Sequence, residues 1–224
     1  MKGILAGVPK LIASKYSLEW GSKSSLLFKA PVGAILRGIY FDHAPSGNYY
    51  LQCVILPLHM PSNGIYYIDG PQIGFGGQSR LRPVTESKLW ATRDEYISGL
   101  EDIVVNQLRS EWDRLAHVDY CIDYFLSLNG YVYKHGRHVF EALIYLTAYQ
   151  QRYSHCISII QEYKQLFPEK DPMKLHVDSY PQAYWQRIEL IEECIKAEDF
   201  QRLHTKLNEW FDYSIKALGL SRFV

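Results

Sequence analysis

From Ile35 to Gly77, apolar and polar positions alternate in short runs instead of recurring at helical spacing. Ile35 to Phe41, Tyr49 to Leu56 and Ile65 to Ile68 are rich in Ile, Val, Tyr and Phe, and Ala44-Pro-Ser-Gly-Asn48 and Pro61-Ser-Asn-Gly64 separate them. β-Branched and aromatic residues suit a pleated surface, and short links with Gly and Asn suit tight turns, so the stretch predicts an antiparallel meander. In its middle run Leu51, Cys53 and Ile55 face one way while Tyr50, Val54 and Leu56 face the other. Both faces therefore need cover.

Upstream, Ser24 to Ala30 predicts a first strand, and Ile4 to Tyr16 a short amphipathic helix after Pro9. Downstream, Asp69 to Gln78 holds Gly74, Gly76 and Gly77 and reads as a loop. The period changes at Thr92, where Thr-Arg-Asp-Glu95 has the form of a capping box. From there Tyr96, Leu100, Ile103, Val104, Leu108, Trp112 and Leu115 recur at steps of three and four, which predicts a long amphipathic helix. A second helix carries Val118, Ile122, Phe125 and Leu126 and stops at Asn129-Gly130. Two helical hairpins follow: Val139 to Tyr149 with Ser154 to Leu166, turning at Gln151-Arg152-Tyr153, and a pair after Tyr180-Pro181 that splits at Glu198-Asp199. The pairs have the length of helical-repeat hairpins but share no consensus.

Strands first and helices after predicts an α+β fold, an N-terminal antiparallel sheet of about four strands packed by C-terminal helical hairpins. The sheet region is expected over 1–91 and the helical region over 92–224, packed together as one unit.

With 224 residues, 47% hydrophobic and 21% charged, the chain can bury a substantial core. Lys+Arg and Asp+Glu number 24 each, so no global field favours nucleic acid or an anionic membrane, and neither is an expected partner. The opening MKGILAGVPKLIASK is broken by Pro9 and Lys10 before a secretory apolar run is complete. Cys53, Cys121, Cys156 and Cys194 stand far apart in apolar or helical contexts and read as buried thiols in a reducing cytoplasm.

Asp42-His43 at a strand end pairs a carboxylate with an imidazole, but neighbours in a strand point to opposite faces, and a surface turn is the preferred reading. His135-Gly-Arg-His138, with Glu141 one turn on, lacks a complete ligand spacing, so no metal is expected. The Gly70 to Gly77 loop has neither GxxxxGK[ST] nor GxGxxG, and the chain has no GxSxG, HExxH or DxDxDG, so no cofactor is expected. Eighteen tyrosines and five tryptophans supply amphipathic contact area, with Tyr49-Tyr50, Tyr66-Tyr67 and Tyr131 with Tyr133 beside loops. Ordinary strand packing explains them equally well. Glu111, Asp113, Asp119, Asp123 and Tyr124 form an acidic run that either attracts a basic partner or is a solvated helix face.

Pro31-Val32-Gly33-Ala34-Ile35-Leu36-Arg37-Gly38 and Val54-Ile55-Leu56-Pro57-Leu58-His59-Met60-Pro61 together resemble the start of a group of uncharacterised bacterial cytosolic proteins of the domain-of-unknown-function type. The resemblance covers the first third and carries no catalytic residues. By analogy with such small proteins it implies an immunity or defence partner.

The expected function is a non-enzymatic cytoplasmic protein-binding module, of the immunity-inhibitor kind, with Arg37, Asp42, His43, His59, Tyr66 and Tyr67 as candidate binding residues. The alternative is an enzyme acting on a small or nucleotide-like substrate in a cleft between sheet and helices, with Arg37, Asp42, His43 and His59 near its mouth. Arg37 has a structural alternative too: pairing with Glu86 or Glu111 and pinning the sheet to a helix.

Overall fold

The computed structural model describes residues 6–21, 25–43, 49–63, 92–127, 137–167 and 184–224. It is an α+β arrangement, an N-terminal antiparallel sheet of four strands followed by helices. The chain forms two compact units, one of Met1–Leu56, Ile65–Ala116 and Gly219–Val224, the other of Pro57–Gly64 and His117–Leu218.

In the first unit the strands are β1 (Glu19–Gly21), β2 (Leu26–Phe28), β3 (Ile35–His43) and β4 (Tyr49–Pro57), in the order β1-β2-β3-β4. Leu27 pairs with Ile39 and Phe28 with Gly38, which places Leu27, Ile39 and Phe41 on one face with Leu51 and Cys53. Helix α1 (Val8–Tyr16) and a long helix from Arg93 to Arg114 cover that face, burying Val8, Ile12, Tyr96, Leu100, Ile103, Val104, Leu108 and Trp112. Each fully buried large apolar side chain here contributes roughly 1.5–3 kcal/mol. On the other face Leu26, Phe28, Leu36, Val54 and Leu56 are buried as well. The C-terminal tail reaches this unit: Val32 N–H donates to the Phe223 carbonyl at 2.7 Å, and the Phe28 and Phe223 rings meet edge to face at 5.0 Å.

The predicted capping box is present. Thr92 Oγ1 accepts from Glu95 N–H at 3.2 Å, and Glu95 Oε2 accepts from Thr92 N–H at 3.0 Å. The long helix is α2 (Arg93–Asp102), a π-helical stretch (Ile103–Leu108) and α3 (Arg109–Arg114). Steps of four from Leu100 through Val104 and Leu108 to Trp112 outrun a 3.6-residue period, and the wide π turn absorbs the surplus and keeps all four on the core face.

Among the described residues the sheet has four strands, and one of them, β1, was not expected. The run Ile65 to Ile68 lies outside the described residues, and β1, three residues only, carries too short an alternation to be read from sequence.

The second unit contains α4 (Val118–Ser127), α5 (Arg137–Tyr149), α6 (Tyr153–Leu166), α7 (Tyr184–Lys196) and α8 (Phe200–Ala217). Successive members α5, α6, α7 and α8 pack on one another, and α5 also packs on α4 and α8. Residues 58–63, directly after β4, are part of this unit. Ser62 N–H donates to Ser214 Oγ at 3.0 Å, and Ser214 Oγ donates to the Met60 carbonyl at 3.2 Å, so the segment is fastened to α8 at two backbone points.

Candidate functional site

Arg37 lies on β3 among Ile35, Ile39 and Phe41, and only 6% of it is exposed. A helix leaves its last carbonyls without intrahelical partners. Arg37 supplies one: its Nη1 donates to the Trp112 carbonyl at 2.8 Å, in the last turn of α3. A cation is also the favoured charge at that end of a helix. Glu111, a carboxylate expected to pair with Arg37, accepts from Arg114 Nη1 at 3.2 Å; Glu86 lies outside the described residues.

His59 is 4% exposed and belongs to the second unit. Its ring stacks on Tyr149 of α5, centroids 4.1 Å apart, and tilts against Phe211 of α8 at 5.1 Å. Nδ1 lies 3.1 Å from the Leu207 carbonyl. A carbonyl only accepts, so Nδ1 carries the proton in the neutral ring. Burial pushes the imidazole below its ordinary value; the Leu207 bond opposes the shift and His204 adds to it.

Arg37 and His59 thus occupy different units, each bonded to a helix carbonyl. Asp42 and His43 end β3, and their side chains, with the whole of Tyr66 and Tyr67, lie outside the described residues. So do His135 and the His138 side chain. Among the described residues no group of three His, Cys, Asp or Glu side chains is placed to hold a metal ion. The four cysteines are free and buried. Burial drives the Cys53 and Cys156 thiols up to about 12 and raises Cys194 as well, so these thiols are protonated at neutral pH and poor nucleophiles.

The acidic run is charge-paired along much of its length. Glu111 pairs with Arg114, Asp113 with Lys29, and Asp119 with Arg152 at 2.8 Å. Carboxylates neutralised by such exposed pairs exert little pull on a basic partner.

Two groupings were not anticipated. In the helical core Arg187, 1% exposed, donates through Nε to the Tyr145 hydroxyl at 3.1 Å and lies 5.4 Å from the Tyr184 ring centre. Tyr145 meets Trp210 edge to face at 5.5 Å, and Glu141, one turn before Tyr145 on α5, is also 1% exposed. The sequence signal was an arginine on the apolar stripe of Tyr184, Ile188 and Ile191. At the helix-turn edge, the rings of Tyr153 and Phe200 stack at 4.3 Å with planes 2° apart, both partly exposed. The Tyr153 hydroxyl lies 3.3 Å from His204 Nε2, and the Arg152–Asp119 ion pair stands beside it.

No protein-family model, curated protein or solved structure matches the chain.

Proposed function

We propose that this chain is a non-catalytic protein-binding module that meets its partner through the turn edge of the helical unit. The observation that carries this reading is the partly exposed Tyr153–Phe200 stack. Two flat rings locked against each other present apolar area with little side-chain entropy left to lose, and a hydroxyl at the rim can exchange His204 for a partner group. The ion-paired Arg152 and Asp119 beside it supply the polar surround that interface cores have. An immunity-type inhibitor that occludes another protein is the narrower form of this reading, supported by the resemblance of the first third. Its compartment in this reading is the cytoplasm, which four free thiols favour. Among the described residues no helix is long and apolar enough to cross a membrane.

The enzyme alternative lacks comparable support, since Arg37 and His59, two of the residues it depends on, each hold a helix carbonyl.

Affinity capture from source cells with the wild-type chain and with a Tyr153→Ser/Phe200→Ser variant tests the proposal. A stoichiometric partner retained by the first and lost by the second, with helical circular dichroism unchanged, is the expected result. Equal retention by both removes the turn edge from binding.

A further inference from the structure

We infer that the hairpins α5–α6 and α7–α8 are two copies of one 47-residue helical repeat, stacked in register. This inference is independent of the binding reading. The turns coincide at that offset. In the first, Gln150 N–H bonds to the Leu146 carbonyl at 2.9 Å, Gln151 to Ala148 at 3.1 Å, and Arg152 to Thr147 at 2.9 Å. In the second, Ala197 bonds to Glu193 at 2.9 Å, Glu198 to Ile195 at 3.2 Å, and Asp199 to Cys194 at 2.9 Å. Every donor and every acceptor of the second set stands 47 positions after its counterpart in the first.

The backbone repeats as well. Gln151 and Glu198 both take left-handed φ, 58° and 55°, a conformation uncommon outside glycine. Arg152 and Asp199 follow with φ and ψ of −82° and 57° in one and −85° and 63° in the other. Each next helix then opens with the same backbone bond, Cys156 N–H to the Arg152 carbonyl and Leu203 N–H to the Asp199 carbonyl, while the side-chain cap differs: Asp199 Oδ1 accepts from Arg202 N–H at 3.1 Å and Arg152 makes no such bond.

Burial follows the same offset. Ile144 and Ile191, Thr147 and Cys194, Cys156 and Leu203, Ile160 and Leu207, and Tyr163 and Trp210 are buried pairs at equivalent positions. Tyr153 and Phe200 are equivalent too, so their ring stack joins the same position of one hairpin to that of the next, as stacked repeats do. Identity over 137–167 survives only at Leu143/Leu190, Ile144/Ile191 and Glu162/Glu209, which is why no consensus is visible. The divergence has a physical cause: α5, packed on α4, α6 and α8, is buried all round from Val139 to Ala148, whereas α7 is buried on one stripe. Positions that are Tyr145 and Leu146 in α5 are accordingly Glu192 and Glu193 in α7.

Exchanging the turns tests equivalence. One chain carries Gln150→Ala, Gln151→Glu, Arg152→Asp and Tyr153→Phe together with Ala197→Gln, Glu198→Gln, Asp199→Arg and Phe200→Tyr. A second chain makes the same exchange displaced by one residue. The in-register chain is expected to keep cooperative unfolding with Tm lowered by about 5 °C at most, and the displaced one to lose about 10 °C or more, several times the shift of an ordinary surface change. An in-register chain that melts as low as the displaced one overturns the equivalence. So does a displaced chain that melts as high as the in-register one.

Discussion

Arg37 on β3 closes the C-terminal end of α3 by donating from Nη1 to the Trp112 carbonyl at 2.8 Å. The bond joins the sheet to the helix that covers it, and the guanidinium sits among apolar side chains where a broken partnership is costly. Replacing Arg37→Met removes the charge-assisted bond and leaves the carbonyl beneath an apolar side chain. A loss of about 2 kcal/mol in unfolding free energy is expected from denaturant titration, with partner affinity unchanged. A variant of normal stability that loses only binding would place Arg37 in a functional site instead.

Gly38, next on the strand, has no room for a side chain. A Cβ there would stand 2.5 Å from the Leu27 carbonyl oxygen and 3.0 Å from Phe28 Cβ, both on the neighbouring strand β2. Backbone paired in a sheet cannot step aside as a flexible side chain does, so Gly38→Ala is expected to cost about 1–3 kcal/mol. Urea unfolding measures it; a midpoint equal to wild type would mean that β2 and β3 separate freely at this point.

His59 gives the helical unit a pH dependence. Its folded pKa lies below the ordinary 6.5. The unfolded chain therefore binds the proton first as pH falls, and stability declines from about pH 6.5 down to the folded pKa, then levels off. His59→Gln keeps an N–H for the Leu207 carbonyl and does not titrate. The difference in Tm between wild type and this variant is expected to change between pH 7.5 and 5.5, above the range where Glu192 and Asp102, both held below the usual carboxylate values, titrate. A difference constant across that range contradicts the buried neutral imidazole.

Much of the helical architecture was legible because its signals are local. Thr92 with Glu95, the apolar stripe from Tyr96 to Leu115, and the breaks at Gln151 and Glu198 all fall where the structure has a cap, a buried face and two turns. The π stretch was encoded in the same stripe as a run of four-residue steps, yet recognising it requires knowing that Leu108 and Trp112 share one core. β1 was missed because Glu19-Trp20-Gly21 becomes a strand through pairing with Leu26 to Phe28, and no local preference announces that. At the candidate site, sequence singled out Arg37 and His59 among the candidate binding residues, but the backbone carbonyls they meet lie 75 and 148 residues away and have no sequence signature. The Tyr153–Phe200 stack depends likewise on two turns of the same shape, written in almost entirely different residues.

The binding proposal is tested most directly by titrating the purified partner into wild-type protein and into Tyr153→Ala and Phe200→Ala variants in a calorimeter. Each variant is expected to bind at least about tenfold more weakly, as the loss of an aromatic anchor at an interface centre does, while retaining its helical signal. Affinities equal to wild type in both folded variants would contradict the assignment of the turn edge as the binding surface.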